Sequence, residues 1–228
     1  MATRAVFFDV DFTLIYPGPM FQGEGYAQFG ARHGMQIDPA RFAAAVNAAA
    51  PILDDDQRLV YEDELFIRYT RRIIEEMGGR GPALDACARE VYAEWAACQH
   101  FFLYDDVAPA MKELSAAGYR LGLISNSHRC LASFQQHFDL HGLVVAAVSS
   151  SAHGYLKPHP SIFEAALTLV GVAPDQAVMV GDSYRHDIEG AQRVGMRGVL
   201  VRRDGGEAGG EMNVPVISSL SELAPLLR

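Results

Sequence analysis

Apolar residues along this chain fall into two textures. Short runs rich in β-formers, each closed by polar turn residues, occupy residues 5–9 and recur beyond residue 106. They are Arg120-Leu121-Gly122-Leu123-Ile124, Leu143–Val148, Ala177-Val178-Met179-Val180 and Gly198-Val199-Leu200-Val201. Helical segments separate them, and that alternation predicts a parallel sheet covered on both faces. From about 20 to 102 the period is helical. Leu65, Phe66, Tyr69, Ile73, Ile74 and Met77 make one apolar stripe over Glu62–Met77, and Leu84, Ala88, Val91, Tyr92 and Trp95 make a second. Pro17-Gly18-Pro19 opens this block and Phe101–Asp106 closes it. The pattern therefore predicts an α/β core with a helical insertion after the first strand. Such an insertion is expected over the carboxyl ends of the strands, as a lid. Asp204–Gly210 is Gly-rich but lacks a following Lys-Ser/Thr, so it reads as a surface loop.

Composition narrows the function. The 228 residues are 50% hydrophobic and 21% charged, an ordinary globular balance for a chain able to bury a large core. A net charge of -9, with no Lys/Arg cluster, argues against a nucleic-acid partner. No apolar run approaches the ~20 residues of a membrane span, so no membrane partner is expected. Met1-Ala2-Thr3-Arg4 leads directly into the first strand and leaves no room for a signal peptide. The three cysteines form no CxxC pair, and Cys87 and Cys98 read as lying too far apart on one helix to bridge. A cytoplasmic location follows from this usage. The eight histidines show no HxH or HExxH spacing, so zinc is not expected.

The candidate chemistry lies at the strand ends. Asp9 and Asp11 close the first strand, separated by Val10, so both side chains lean to one face. Two carboxylates at ~4 Å repel by roughly 4 kcal/mol at an effective dielectric near 20, unless a cation joins them or their pKa values split for two roles. Ser125-Asn126-Ser127 follows the strand Leu121–Ile124, where a hydroxyl beside the next helix's first amides is an anion hook or simply an N-cap. Lys157 stands in Tyr155-Leu156-Lys157-Pro158-His159-Pro160, a loop stiffened by two prolines. Asp182 tips the strand Ala177–Val180, and Asp187 falls in the first turns of the following helix. All four groups share one sheet edge. Acids, a hydroxyl and a lysine there suit Mg²⁺-assisted phosphoryl transfer, with oxygen ligands for a hard cation and a carboxylate nucleophile beside an acid/base carboxylate.

In this order and spacing, Asp9-Val10-Asp11-Phe12-Thr13, Ser125 with Asn126, Lys157, and Gly181-Asp182 through Asp187 resemble the four motifs of the haloacid dehalogenase superfamily of hydrolases. The resemblance spans essentially the whole chain. It implies a Rossmann-like doubly wound parallel sheet, residues 1–16 and 105–228, with a helical C1-type cap at 17–104. It further implies Asp9 as the nucleophile forming a phosphoaspartate, and Asp11 as the group that protonates the leaving oxygen and then activates water. Thr13, Ser125, Asn126 and Lys157 would meet the phosphate. Asp9 and Asp182 would hold Mg²⁺ through carboxylates and Asp11 through its carbonyl, with Asp187 supporting the metal's waters or Lys157. Phe12 departs from the family, which most often has Gly there. A phenylalanine disfavours positive φ, so the turn is expected to run in an ordinary backbone region, with the ring as an apolar wall near the pocket mouth.

The reading that results is Mg²⁺-dependent hydrolysis of a small phosphorylated metabolite by a monomer or homodimer. A 2-haloacid dehalogenase would also attack with the first Asp, but it typically lacks the second. A phosphonate hydrolase would need a cap lysine, and residues 20–102 contain none. A receiver-like signalling domain would carry its acid on a mid-chain strand. A non-catalytic binding module on the same fold would not need these motifs intact.

Overall fold

The protein is described here by a computed structural model covering residues 2–54, 58–203 and 213–227. The glycine-rich loop expected at Asp204–Gly210 lies outside the described residues. The chain forms two compact units, Met1–Tyr16 with Leu103–Arg228, and Pro17–Phe102.

The first unit is built on the strands β1 (Ala5–Phe8), β4 (Arg120–Ser125), β5 (Val144–Ser149), β6 (Ala177–Gly181), β7 (Arg197–Val201) and β8 (Val216–Ile217), in the sheet order β5-β4-β1-β6-β7-β8. Each neighbouring pair runs parallel. All four residues of β1 are fully buried. Successive side chains on a strand face opposite ways, so Val6 and Phe8 are covered on one face and Ala5 and Phe7 on the other. Phe7 packs in one cluster with Ile124, Ile162, Phe163, Leu167 and Met179. Burying each of these large side chains contributes about 1.5–3 kcal/mol. The helix Pro160–Val170 supplies much of that cluster, and its ends follow from its sequence. Pro160 occupies the first turn, the His159 side chain caps the Ser161 amide, and Gly171 turns left-handed at φ 70 to stop it.

Register sets the height of the strand ends. Phe8 pairs with Leu123 of β4 and with Val180 of β6, and Ser125 pairs with Ser149 of β5. The Asp9 amide continues the ladder to the Val180 carbonyl at 2.9 Å. The residues that follow β1, β4 and β6 therefore emerge side by side.

The second unit is helical, over Gly23–Arg32, Phe42–Ala49, Asp63–Glu76 and Leu84–Glu94. The stripe on Asp63–Glu76 is wider than the periodicity suggests, because Ile67 and Thr70 are buried along with Leu65, Ile73 and Ile74. The helix carrying Cys87 ends at Glu94, and Cys98 opens a separate 3₁₀ turn, Cys98–His100, so the two cysteines do not share a helix. Phe21, Trp95 and Phe101 form an aromatic cluster, with Phe21 and Trp95 ring centres 4.6 Å apart. Where the chain passes between the units, β2 (Ile15–Pro17) and β3 (Phe101–Leu103) pair as a two-stranded sheet. Among the described residues, no helix is long and apolar enough to cross a membrane.

Candidate active site

Lys157 organises the site. Its side chain is 2% exposed, and its Nζ donates to Asp9 Oδ1 at 2.6 Å, Asp187 Oδ1 at 2.6 Å and the Ile124 carbonyl at 2.8 Å. An ammonium has three donors, and all three are used. Burial would push this ammonium down, but the charges of Asp187 and Asp9 outweigh it and raise Lys157 above its ordinary range. The loop is fixed by Asn126, whose side-chain carbonyl accepts from the Lys157 amide at 2.7 Å and whose amide donates to the Lys157 carbonyl at 3.0 Å. The Asn126 side chain, which the resemblance assigned to the phosphate, thus clamps the lysine's backbone.

Asp187 reaches the lysine from a π-helical turn, Tyr184–Glu189, entered through Ser183. Its Oδ2 accepts from the Ser183 amide at 3.0 Å. Asp9, Asp182 and Asp187 each present an oxygen within 4.8 Å of the others. Burial, with Asp9 and Asp187 adding negative charge, pushes the Asp182 carboxyl up to about 8. Burial also lifts Asp187 to about 6 against the pull of Lys157, with Asp9 adding to the rise. Three crowded carboxylates, of which Asp182 and Asp187 are disfavoured in their ionised forms, offer only oxygen donors and fit a hard divalent cation.

Asp11 belongs to a different pair. Its Oδ1 accepts from Arg129 Nη1 at 2.8 Å, and that arginine side chain is fully buried. Burial raises the Asp11 carboxyl, the Arg129 charge and hydrogen bond oppose this, and Asp9 adds a further rise. Arg129 is thus a second buried cation at this strand edge, beside Lys157. Arg129 sits four residues past the end of β4, in a loop without periodicity, where nothing in the sequence marks it.

Two further arginines follow β7. Arg202 Nη1 donates to the Asp182 carbonyl at 2.9 Å, and Arg203 holds the Thr13 carbonyl through Nη2 at 2.6 Å and Nε at 3.2 Å. Arg203 Nη1 also pairs with Asp106 at 2.6 Å. Burial raises the Asp106 carboxyl, but the hydrogen bonds from Arg203, Ser219 and the Leu220 amide outweigh it and hold it below the usual range. These arginines stand at a strand end like Asp9 and Asp182, a positional signal that the sequence did contain.

Two local expectations change. Phe12 adopts φ 63, in the left-handed region, with its ring 46% exposed. The turn requires it: the Phe12 amide donates to the Ile15 carbonyl at 2.7 Å, and the Leu14 and Ile15 amides both reach the Val10 carbonyl. Those bonds offset the ~1–2 kcal/mol cost of a left-handed residue with a Cβ. Ser125 is not a helix cap, because the next helix begins at Leu131 behind Cys130. Its hydroxyl is buried and donates to Ser127 Oγ at 3.0 Å. Thr13 is also buried, and its Oγ1 donates to Asp182 Oδ1 at 3.4 Å. The structure thus gathers Asp9, Lys157, Asp182 and Asp187 in one cluster and attaches Thr13 to it through Asp182. Asp11 stands beside the cluster on Arg129.

A profile of the haloacid dehalogenase-like hydrolases matches residues 3–195. The chain belongs to that family. Its sequence is 27% identical to the glyceraldehyde 3-phosphate phosphatase of Methanothermobacter thermautotrophicus over 245 aligned positions, covering 98% of this chain and 99% of the relative. The fold is shared with a HAD phosphatase from Thermococcus onnurineus (TM-score 0.70, 23% identity, 99% and 98% of the two chains). It is shared also with the 2-haloacid dehalogenase of Pseudomonas syringae pv. Tomato DC3000 (TM-score 0.66, 24% identity, 99% and 97%). Fold alone does not choose between those chemistries.

Proposed function

We propose that this protein hydrolyses the phosphomonoester of a small metabolite, with Mg²⁺ as its cation and a phosphoaspartate on Asp9 as intermediate. One observation carries the reading: Asp9 and Asp11, with only Val10 between them, are held by different cations, Lys157 and Arg129. Separate partners give two neighbouring carboxylates separate tasks. A dehalogenase displacing halide needs no leaving-group proton and would leave Asp11 without work. The phosphatase relative supports the phosphate-ester class.

Asp9 is the nucleophile. Its free carboxylate oxygen attacks phosphorus as the bond to the leaving oxygen breaks, and Asp11 delivers a proton to that oxygen. In the second half a water attacks phosphorus and gives its proton to Asp11. The bond to Asp9 then breaks and releases inorganic phosphate. Lys157 holds Asp9 in place throughout and presents fixed positive charge beside the phosphoryl oxygens, while Asn126 keeps the lysine loop still. Thr13 and Ser125 are assigned to the phosphate. Asp9 and Asp182 would hold Mg²⁺ through carboxylates and Asp11 through its backbone carbonyl, with Asp187 steadying the metal's waters and Lys157. A bound Mg²⁺ supplies charge stabilisation to the transferring group.

The residues assigned to the core chemistry come from one chain, which suits a monomer or a homodimer. Among the described residues Cys87, Cys98 and Cys130 form no disulfide, and a cytoplasmic location is part of this reading. The test is a panel of phosphorylated metabolites with Mg²⁺ and with Asp9→Asn as the blank. Mg²⁺-dependent phosphate release on the panel is expected. Release of halide from 2-haloacids in EDTA, without phosphate release, would replace this reading.

A further inference from the structure

Arg129 is a costly residue to place where it stands. Its side chain is fully buried, it cannot shed its charge, and it pairs with Asp11 Oδ1 at 2.8 Å. The loop that carries it is braced from three sides. Ser125 Oγ donates to Ser127 Oγ, the Ser151 amide donates to the Ser127 carbonyl at 3.4 Å, and Asn126 is bound to the backbone of Lys157. A guanidinium delivered from so fixed a base holds its carboxylate in one orientation. Among the described residues no other group bonds the Asp11 carboxylate, whose side chain remains 17% exposed.

We infer that Arg129 is a positioning residue for Asp11: by occupying Oδ1 it leaves Oδ2 as the oxygen that passes the proton to the leaving group and later takes one from water. The inference rests on the phosphatase reading above. The bonds made and broken are those already given, and Arg129 exchanges no proton. It determines which Asp11 oxygen faces the reaction and keeps the carboxyl from rotating away. Misplacing an acid by about an ångström costs on the order of 10²-fold in rate. That loss should fall only on substrates that need the acid.

The test compares kcat/KM for a series of phosphate monoesters, from nitrophenyl to alkyl leaving groups, in Arg129→Met, Arg129→Lys, Asp11→Asn and the double variant Arg129→Met with Asp11→Asn. Arg129→Met should lose about 10–100-fold on alkyl esters and under ~3-fold on nitrophenyl phosphate. Arg129→Lys should recover part of the alkyl loss. Competitive inhibition by inorganic phosphate should be unchanged. The double variant removes both charges, so it leaves no lone buried ion to unfold the core, and it should match Asp11→Asn within ~2-fold on every ester. Equal loss across the series, or additive losses in the double variant, would overturn the positioning role. A series flat for Asp11→Asn itself would instead overturn the acid/base assignment beneath it.

Discussion

A Cβ built on Gly181 would lie 2.3 Å from both Cγ and Oδ2 of Asp187. The last residue of β6 is therefore glycine so that the carboxylate which pairs with Lys157 can fold back against the strand end. Gly181→Ala should push Asp187 off the lysine. Overpacking of this kind costs about 1–3 kcal/mol, seen as a lower Tm. Mg²⁺ affinity by calorimetric titration should fall with it. An alanine variant with unchanged Mg²⁺ binding would detach Asp187 from the cation site.

The acidic cluster predicts an unusual pH response. Burial raises Asp182 to about 8 and Asp187 to about 6, above the ordinary carboxylate range, so the metal-free folded chain binds more protons than the unfolded chain between roughly pH 4 and 8. Stability then falls as pH rises through that window, because ionising these groups is harder in the fold. Melts without metal should show Tm decreasing from pH 5 to 8 from this contribution, and Mg²⁺ should reduce the decrease. Because the cation displaces those protons, its affinity should rise with pH until about 8. A pH-independent Mg²⁺ affinity would contradict the cluster's assignment.

The two strand-end acids should separate by kinetics. Asp9→Asn should abolish turnover and the formation of an acid-stable radiolabelled protein from ³²P substrate, since an amide cannot form the acyl phosphate. Asp11→Asn should slow esters of poor leaving groups by roughly 10²–10⁴-fold and spare the first step for nitrophenyl phosphate. Detectable phosphoenzyme in Asp9→Asn would assign the nucleophile elsewhere.

Removal of the helical unit offers a fourth test. Pro17–Phe102 is compact by itself, and its two connections pair as β2 and β3, so a short Gly/Ser linker can join Tyr16 to Leu103. In the proposed reaction the core groups meet only a phosphoryl group and a cation. The shortened chain, if folded by circular dichroism, should retain Mg²⁺-dependent turnover of aryl phosphates with a broader metabolite range. Unchanged metabolite preferences would place selection in the core.

Much of this protein is legible in one dimension. The buried strands read as continuous apolar runs because both their faces are covered, and the acids and lysine read as strand-end residues because polar groups interrupt those runs abruptly. What the sequence by itself determined is which residues stand at the carboxyl edge of a parallel sheet, since that depends on local pattern. Short elements escaped it: β8 has two residues, too few to show alternation.

Tertiary structure alone decided the partners. Arg129 meets Asp11 across 118 residues of sequence, and Arg203 meets Thr13 across 190. Neither arginine lies on a periodic face, and a buried cation looks in sequence like any solvated one. Phe12 was misread for a related reason: φ preference is a local energy of ~1–2 kcal/mol, and the turn's hydrogen bonds from Val10 to Ile15 outweigh it. Pattern sets where a chain turns inward, whereas pairing of charges needs the distances that only the folded chain supplies.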